Sequence, residues 1–124
     1  MHGPAVTVLA VDDQAAFLRA VGELIAATPG FEQVGEASSG AEALALAADL
    51  HPDLVLLDVR MPGMDGLETA RRLGEAEPDS VVILVSLEDA QHVQAGLGAG
   101  FVAHVRKQDL SRRALRDLWA AHGR

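Results

Sequence analysis

Three short apolar runs, each stopped by a polar side chain, constrain this chain more than any other feature. Val6 to Val11 (VTVLAV) ends at Asp12-Asp13, Leu54 to Leu57 (LVLL) ends at Asp58, and Val81 to Val85 (VVILV) ends at Ser86. Runs this short, apolar almost throughout and rich in β-branched residues, are strands covered on both faces. Two further segments, Glu32 to Ala37 (EQVGEA) and Phe101 to Lys107 (FVAHVRK), mix polar residues into a strand pattern, which fits the edges of a sheet.

Helical patterns lie between the strands. Phe17, Val21, Leu24 and Ile25 share one helical face, and Pro29-Gly30 ends that helix. Ser39-Gly40-Ala41-Glu42 is a capping box opening an alanine- and leucine-rich helix that stops near His51-Pro52. Asp65-Gly66-Leu67-Glu68 repeats the pattern for a helix ending near Gly74. A short helix is expected from about Asp89 to Leu97. Gly96, Gly98 and Gly100 cluster at its end, so it should be the least stable element. The last helix starts at Asp109 or Ser111 and runs to about His122, with Leu115, Leu118 and Trp119 facing inward. This alternation is (βα)5: a doubly wound, five-stranded parallel sheet with helices on both faces. With the second and fifth strands at the edges, the order is 2-1-3-4-5. Ligands of such sheets bind beyond the carboxyl ends of the strands, where strands 1 and 3 meet.

Composition narrows the function. With 124 residues the chain is one domain, and 49% apolar residues rule out disorder. Ten basic residues against eighteen acidic ones give a net charge of −8, a poor match for nucleic acid or an anionic membrane. The absence of cysteine excludes disulfides, thiolate metal sites and cysteine nucleophiles. No apolar run approaches the ~20 residues a membrane-spanning helix needs, and Met1 to Ala5 carries no signal-peptide pattern. A cytoplasmic location is therefore the default. Nine arginines accompany a single lysine, Lys107, a bias that a GC-rich genome produces.

The strand ends deliver Asp12, Asp13, Asp58, Ser86 and Lys107 to one rim. Three carboxylates at one point repel each other and need a cation, a proton or a partner. Oxygen ligands alone select a hard ion, of which Mg²⁺ is the usual intracellular one. Adjacent acids at a strand end are ordinarily helix caps facing water, and for Asp12 or Asp13 alone that reading is preferred. It fails for Asp58, because a Met61-Pro62-Gly63 turn follows and the next helix has its own cap at Asp65.

In these motifs the whole chain resembles the receiver domains of two-component response regulators, whose CheY-like, flavodoxin-like fold shares the 2-1-3-4-5 order. The motifs are VLAVDDQ (Val8 to Gln14), GEASSGAEAL (Gly35 to Leu44), PDLVLLDVRMPGMDGLE (Pro52 to Glu68), VILVS (Val82 to Ser86) and AGFVAHVRK (Ala99 to Lys107). The local wording is most like receivers of NarL/LuxR-type regulators. The resemblance implies that Asp58 accepts a phosphoryl group from a sensor histidine kinase or phosphotransfer protein. Mg²⁺ would be held by Asp13, Asp58 and the backbone carbonyl of Arg60, with Asp12 acting through water. Ser86 and Lys107 would bind phosphoryl oxygens, and His104 would be the rotameric switch. Arg60, Leu87 and Glu88 would tune rates at the mouth of the site, Arg60 and Glu88 as a facing pair. Residues 1–124 are then a receiver with no output domain in the chain, whether it stands alone or is a piece of a longer regulator. Its expected partners are an output domain or protein, a DNA-binding effector among the candidates, and a second copy on phosphorylation. No direct nucleic-acid or membrane contact is implied. The expected output face comprises the helix near 89–97, the fifth strand and the last helix. Catalysis is limited to the domain's own phosphorylation and dephosphorylation.

The chain departs from the family pattern in three places. Leu87 replaces a usual alanine or glycine, Gln108 replaces the proline after the lysine, and Phe101 and Ala103 stand in the AGA-x-G-Y region. Two other classes compete. A haloacid-dehalogenase-type phosphatase would want an acid two residues after the nucleophile, where Arg60 stands. A phosphorylation-independent binding module would not need the Asp12, Asp13, Asp58, Ser86 and Lys107 set. A flavin site is disfavoured by the acidic pair. His2, His51, His92 and His122 lack ligand spacing and read as surface residues.

Overall fold

The computed structural model describes residues 4–61, 63–87 and 100–123. In chain order the elements are β1 (Val6–Val11), α1 (Ala15–Ala26), β2 (Phe31–Ala37), α2 (Gly40–Leu50), β3 (Leu54–Asp58), α3 (Gly66–Ala76), β4 (Val81–Ser86), β5 (Ala103–Arg106) and α4 (Arg112–His122). A single 3₁₀ turn, Lys107–Asp109, joins the last two. The strands form one parallel sheet in the order β2-β1-β3-β4-β5. The helix expected over 89–97, with Glu88, lies outside the described residues.

Side chains of a strand point alternately to opposite faces, so each apolar strand serves two cores. Leu9, Val11, Val55, Leu57, Val82 and Leu84 pack with Ala43, Ala47, Ala70 and Leu73 of α2 and α3. Val8, Ala10, Leu54, Leu56, Ile83 and Val85 pack on the other face with Leu18, Val21, Ile25 and Leu115 of α1 and α4. Leu18, buried in the helix, joins this face beside the residues read from sequence. The mixed strands β2 and β5 are the edges, and neither is buried along its length.

The caps follow the sequence closely. Ser39, Asp65 and Ser111 each accept a hydrogen bond from the backbone N–H three residues on, at 3.1, 2.9 and 3.0 Å. In the first box the return bond differs from expectation: the Glu42 carboxylate accepts from Ser38 N–H at 2.6 Å, one residue upstream of the cap. Ser111, not Asp109, begins the last helix; Asp109 ends the 3₁₀ turn and pairs with Arg106 at 2.9 Å. Leu115 is buried, whereas Leu118 and Trp119 are partly covered.

Two expected boundaries shift for packing reasons. α3 runs past Gly74 to Ala76, because Gly74 lets another backbone approach rather than ending the helix. A Cβ there would lie 2.7 Å from Gly100 Cα. Gly100 itself has φ +98, and a side chain on it would run into the Ala70 carbonyl. β5 is shorter than Phe101 to Lys107, since Phe101 is swallowed by the α3-side core and Lys107 starts the 3₁₀ turn. The described residues contain no cis peptide bond.

Gly66 ties this packing to the rim. Its N–H donates to Val59 carbonyl at 2.8 Å, and a Cβ on it would strike the Asp58 carbonyl and lie 2.6 Å from Val59 Cα. Gly66→Ala should therefore push α3 off the end of β3 and cost about 1–3 kcal/mol, the overpacking range. Urea denaturation measures this; a loss below about 0.5 kcal/mol would show that the backbone yields freely.

Candidate functional site

The carboxyl ends of β1, β3, β4 and β5 bring the sequence-identified residues to one rim. Asp58 is the last residue of β3 and Ser86 the last of β4. Asp12 continues β1, its N–H donating to Ala37 carbonyl at 3.0 Å, and Lys107 follows β5 directly. One carboxylate oxygen from each of Asp12, Asp13 and Asp58 lies within 4.8 Å of the other two. That spread is close to the ~4.2 Å between opposite ligands of an ion bound at ~2.1 Å. An all-oxygen, three-acid set is chemically suited to a hard divalent cation.

The three acids are not equivalent. Asp12 is fully buried, Asp58 nearly so, and Asp13 faces solvent. Asp12 is doubly engaged: Oδ1 accepts from Gln14 N–H at 2.8 Å, and Oδ2 accepts from Lys107 Nζ at 2.6 Å. Oδ1 thus holds the amide of Gln14, the N-cap residue of α1, rather than an N–H of the helix itself. Lys107 Nζ also lies 3.6 Å from Asp58 Oδ1. Burial is the largest influence on Asp58 and raises its pKa from 3.8 to about 6. The Asp12 charge pushes the same way and Asp13 adds a smaller push. The Lys107 ammonium and a hydrogen bond from the Arg60 backbone oppose them.

The flanking positions separate. Ser86 Oγ is 2.6 Å from His104 Nε2, so these two side chains join β4 to β5 beneath the rim. Arg60 is exposed, while its backbone touches Asp58. Leu87 is 68% exposed, so it is not a core residue. Glu88, the expected counterpart of Arg60, lies outside the described residues. His51 and His122 are exposed, and His51 Nδ1 meets Glu77 at 2.7 Å away from the rim.

Sequence reasoning assigned Phe17 to the core alone. In the structure Lys107 Nζ sits 4.3 Å from the centre of its ring. Phe17 stands on the first turn of the helix that the acids precede, but its pairing with Lys107 joins distant parts of the chain and has no local signal.

Comparison with known proteins agrees with this geometry. The family model described as response regulator receiver domain matches residues 8–118. Response regulator GacA of Pseudomonas aeruginosa is 36% identical over 120 residues, covering 93% of this chain and 56% of GacA. A protein-glutamate methylesterase/protein-glutamine glutaminase of Myxococcus xanthus is 37% identical over 131 residues, covering 98% of this chain and 37% of that protein. The chain thus spans less than two-thirds of the length of either relative. Among solved structures, the signal receiver domain of a NarL regulator from Mycobacterium tuberculosis superposes with a TM-score of 0.86 at 33% identity, over 97% of this chain and 100% of that one. A CheX-CheY-BeF3-Mg²⁺ complex from Borrelia burgdorferi gives a TM-score of 0.84 at 27% identity, over 96% and 90%. Strand order, rim and sequence matches together place this chain in the response regulator receiver domain family.

Proposed function

We propose that the chain is a phosphorylation-controlled switch in which Asp58 accepts a phosphoryl group from a phosphohistidine on a sensor kinase or phosphotransfer protein. The observation that carries this reading is the convergence of Asp12, Asp13 and Asp58 at the rim of the sheet, with the Lys107 ammonium beside Asp12 and Asp58. With a pKa of about 6, Asp58 is roughly nine-tenths ionised at pH 7 and needs no base to act as nucleophile. Its oxygen attacks phosphorus, the phosphorus–nitrogen bond breaks, and imidazole leaves. Lys107, already near both acids, neutralises charge on the phosphoryl oxygens. Ser86 donates to another of those oxygens, which draws its hydroxyl away from His104.

The acids fit Mg²⁺, the ion named in the Borrelia complex. Asp13 and Asp58, with the Arg60 carbonyl, would hold it directly, and Asp12 through water. The ion supplies charge neutralisation to the transferring group. The structure favours this division of labour, because both Asp12 oxygens are already occupied by Lys107 and Gln14.

Residues 1–124 act as one receiver, in the cytoplasm, catalysing no reaction beyond their own phosphorylation and dephosphorylation. The output is a changed surface at β5, α4 and the segment around 89–97, read by an effector domain or protein, a DNA-binding one among the candidates, or by a second copy.

Intact mass after incubation with acetyl phosphate and Mg²⁺ tests the assignment. Wild type should gain one phosphoryl group; Asp58→Asn, or wild type in excess EDTA, should gain none. Equal gain in Asp58→Asn would place the acceptor elsewhere.

The raised Asp58 pKa makes a second expectation, with a definite sign. Below about pH 4 the folded and unfolded chains both hold the proton, and no penalty exists. Between about 4 and 6 the unfolded chain ionises first, so stability falls as pH rises. Above 6 a full penalty of roughly 2–3 kcal/mol persists, at about 1.4 kcal/mol per pKa unit. In EDTA, Asp58→Asn should therefore melt higher than wild type at pH 7.5. The gap should close as pH drops from 6 to 4, and saturating Mg²⁺ should shrink it at pH 7.5. A gap that does not change with pH would refute the linkage.

Leu87, exposed beside Ser86, narrows the entrance for small donors and water. Leu87→Ala should speed both phosphorylation by acetyl phosphate and hydrolysis of the product, about tenfold for a barrier of ~1.4 kcal/mol. Stability should change by less than about 0.5 kcal/mol, as for other exposed positions. Rates equal to wild type would remove the gate.

A further inference from the structure

The Lys107 side chain reaches from the end of the edge strand β5, past the ends of β4 and β3, to Asp12 beyond β1. Its side chain is 10% exposed, and among the described residues the ammonium meets three groups: Asp12 at 2.6 Å, Asp58 at 3.6 Å and the Phe17 ring at 4.3 Å. A four-carbon stem has many rotamers and loses considerable freedom when its end is fixed. The strongest contact, to Asp12, pulls the ammonium away from the residue whose phosphoryl group it would serve. Phe17 is the one partner of the three that carries no formal charge.

We propose that Phe17 is a positioning residue, whose ring face holds the Lys107 ammonium at the rim while leaving it free to move between Asp12 and Asp58. The inference rests on the phosphoacceptor reading and adds a residue to it. A hydrogen bond is directional and fixes an ammonium to one acceptor. Attraction to an aromatic face is electrostatic, spread over the ring, and tolerates lateral motion. The ring thus keeps the ammonium in place during its exchange of carboxylate partners.

Local backbone geometry supports the arrangement. Asp12 Oδ1 accepts from Gln14 N–H at 2.8 Å, and Phe17 N–H donates to Gln14 carbonyl at 3.1 Å. The acid and the ring that flank Lys107 therefore hang from one short stretch of chain at the start of α1 and keep a fixed spacing. The alternative role for Phe17 is apolar filling alone, since it also packs against the core shared by α1 and α4. Leucine would satisfy that role and tyrosine would not improve on it, so the two substitutions separate the readings.

Lys107 is the only lysine in the chain, which makes it addressable by amine chemistry. Wild type, Phe17→Leu and Phe17→Tyr would be compared in three measurements. These are phosphorylation by acetyl phosphate with Mg²⁺, acetylation of Lys107 by acetic anhydride at fixed pH, and melting temperature. Phe17→Leu should slow phosphorylation three- to tenfold and speed Lys107 acetylation by a similar factor, with the melting temperature within a few degrees of wild type. Phe17→Tyr, which keeps the ring, should restore both rates. Phosphorylation of Phe17→Leu at the wild-type rate would overturn the proposal, as would identical defects in the leucine and tyrosine variants, or a rate loss that tracks a fall in melting temperature. Should wild type itself accept no phosphoryl group, the phosphoacceptor reading fails. The acetylation comparison then decides by itself whether Phe17 holds Lys107.

Discussion

An excess of negative charge at one point governs this molecule. Asp12, Asp13 and Asp58 bring carboxylate oxygens within 4.8 Å of each other, and one ammonium stands against them. Two unit charges about 4 Å apart near a protein surface repel by roughly 4 kcal/mol, so a single lysine cannot balance three acids. Asp12 tolerates complete burial because both its oxygens are bound, one by Lys107 and one by the Gln14 amide. Among the described residues Asp58 is less fully engaged, with Lys107 at 3.6 Å and a hydrogen bond from the Arg60 backbone, and burial raises its pKa to about 6. The imbalance is a standing demand for positive charge, of the kind a divalent cation would meet.

The rest of the fold exists to hold that imbalance. Parallel strands all end on the same side, so β1, β3, β4 and β5 deliver the polar residues at or just beyond their ends to one rim. β1 and β3, whose carboxyl ends supply the acids, are central and fully covered near those ends. Buried strands can position charges because their backbone hydrogen bonds are complete and their side chains interlock on two faces. Gly66 allows α3 to lie against the backbone of Asp58 itself, so the Asp58 carbonyl is held by packing as well as by strand pairing.

Much of this was legible in sequence because the signals are local. Apolar runs that stop at an acid give a strand and its end together. Ser39, Asp65 and Ser111 cap helices with hydrogen bonds spanning only three residues. What the sequence did not disclose depends on contacts between distant segments. Gly74 looked like a helix end, but the backbone at Gly100 presses on it, and nothing near Gly74 in the chain announces that. Phe101 looked like strand and is core, because the chain turns at Gly100 before the edge strand begins. Phe17 read as one apolar residue among several on its helical face. Its contact with Lys107 joins residues ninety positions apart, a pairing that no periodicity encodes.

The same rim couples the site to an edge of the sheet. Ser86 and His104 meet at 2.6 Å across β4 and β5, while Lys107 follows β5 by a single residue. Two groups that the proposed function sends to a phosphoryl group on Asp58 therefore bear directly on the edge strand. A phosphoryl oxygen that takes the Ser86 hydroxyl removes a partner from the His104 ring. An ammonium that leaves Asp12 for the phosphoryl group changes the pull on the start of the 3₁₀ turn. An edge strand has one neighbour instead of two, so β5 resists such changes less than β1 or β3 would. In the proposed function, events at the rim would therefore bear on the boundary of the sheet, where the fewest backbone hydrogen bonds oppose a shift.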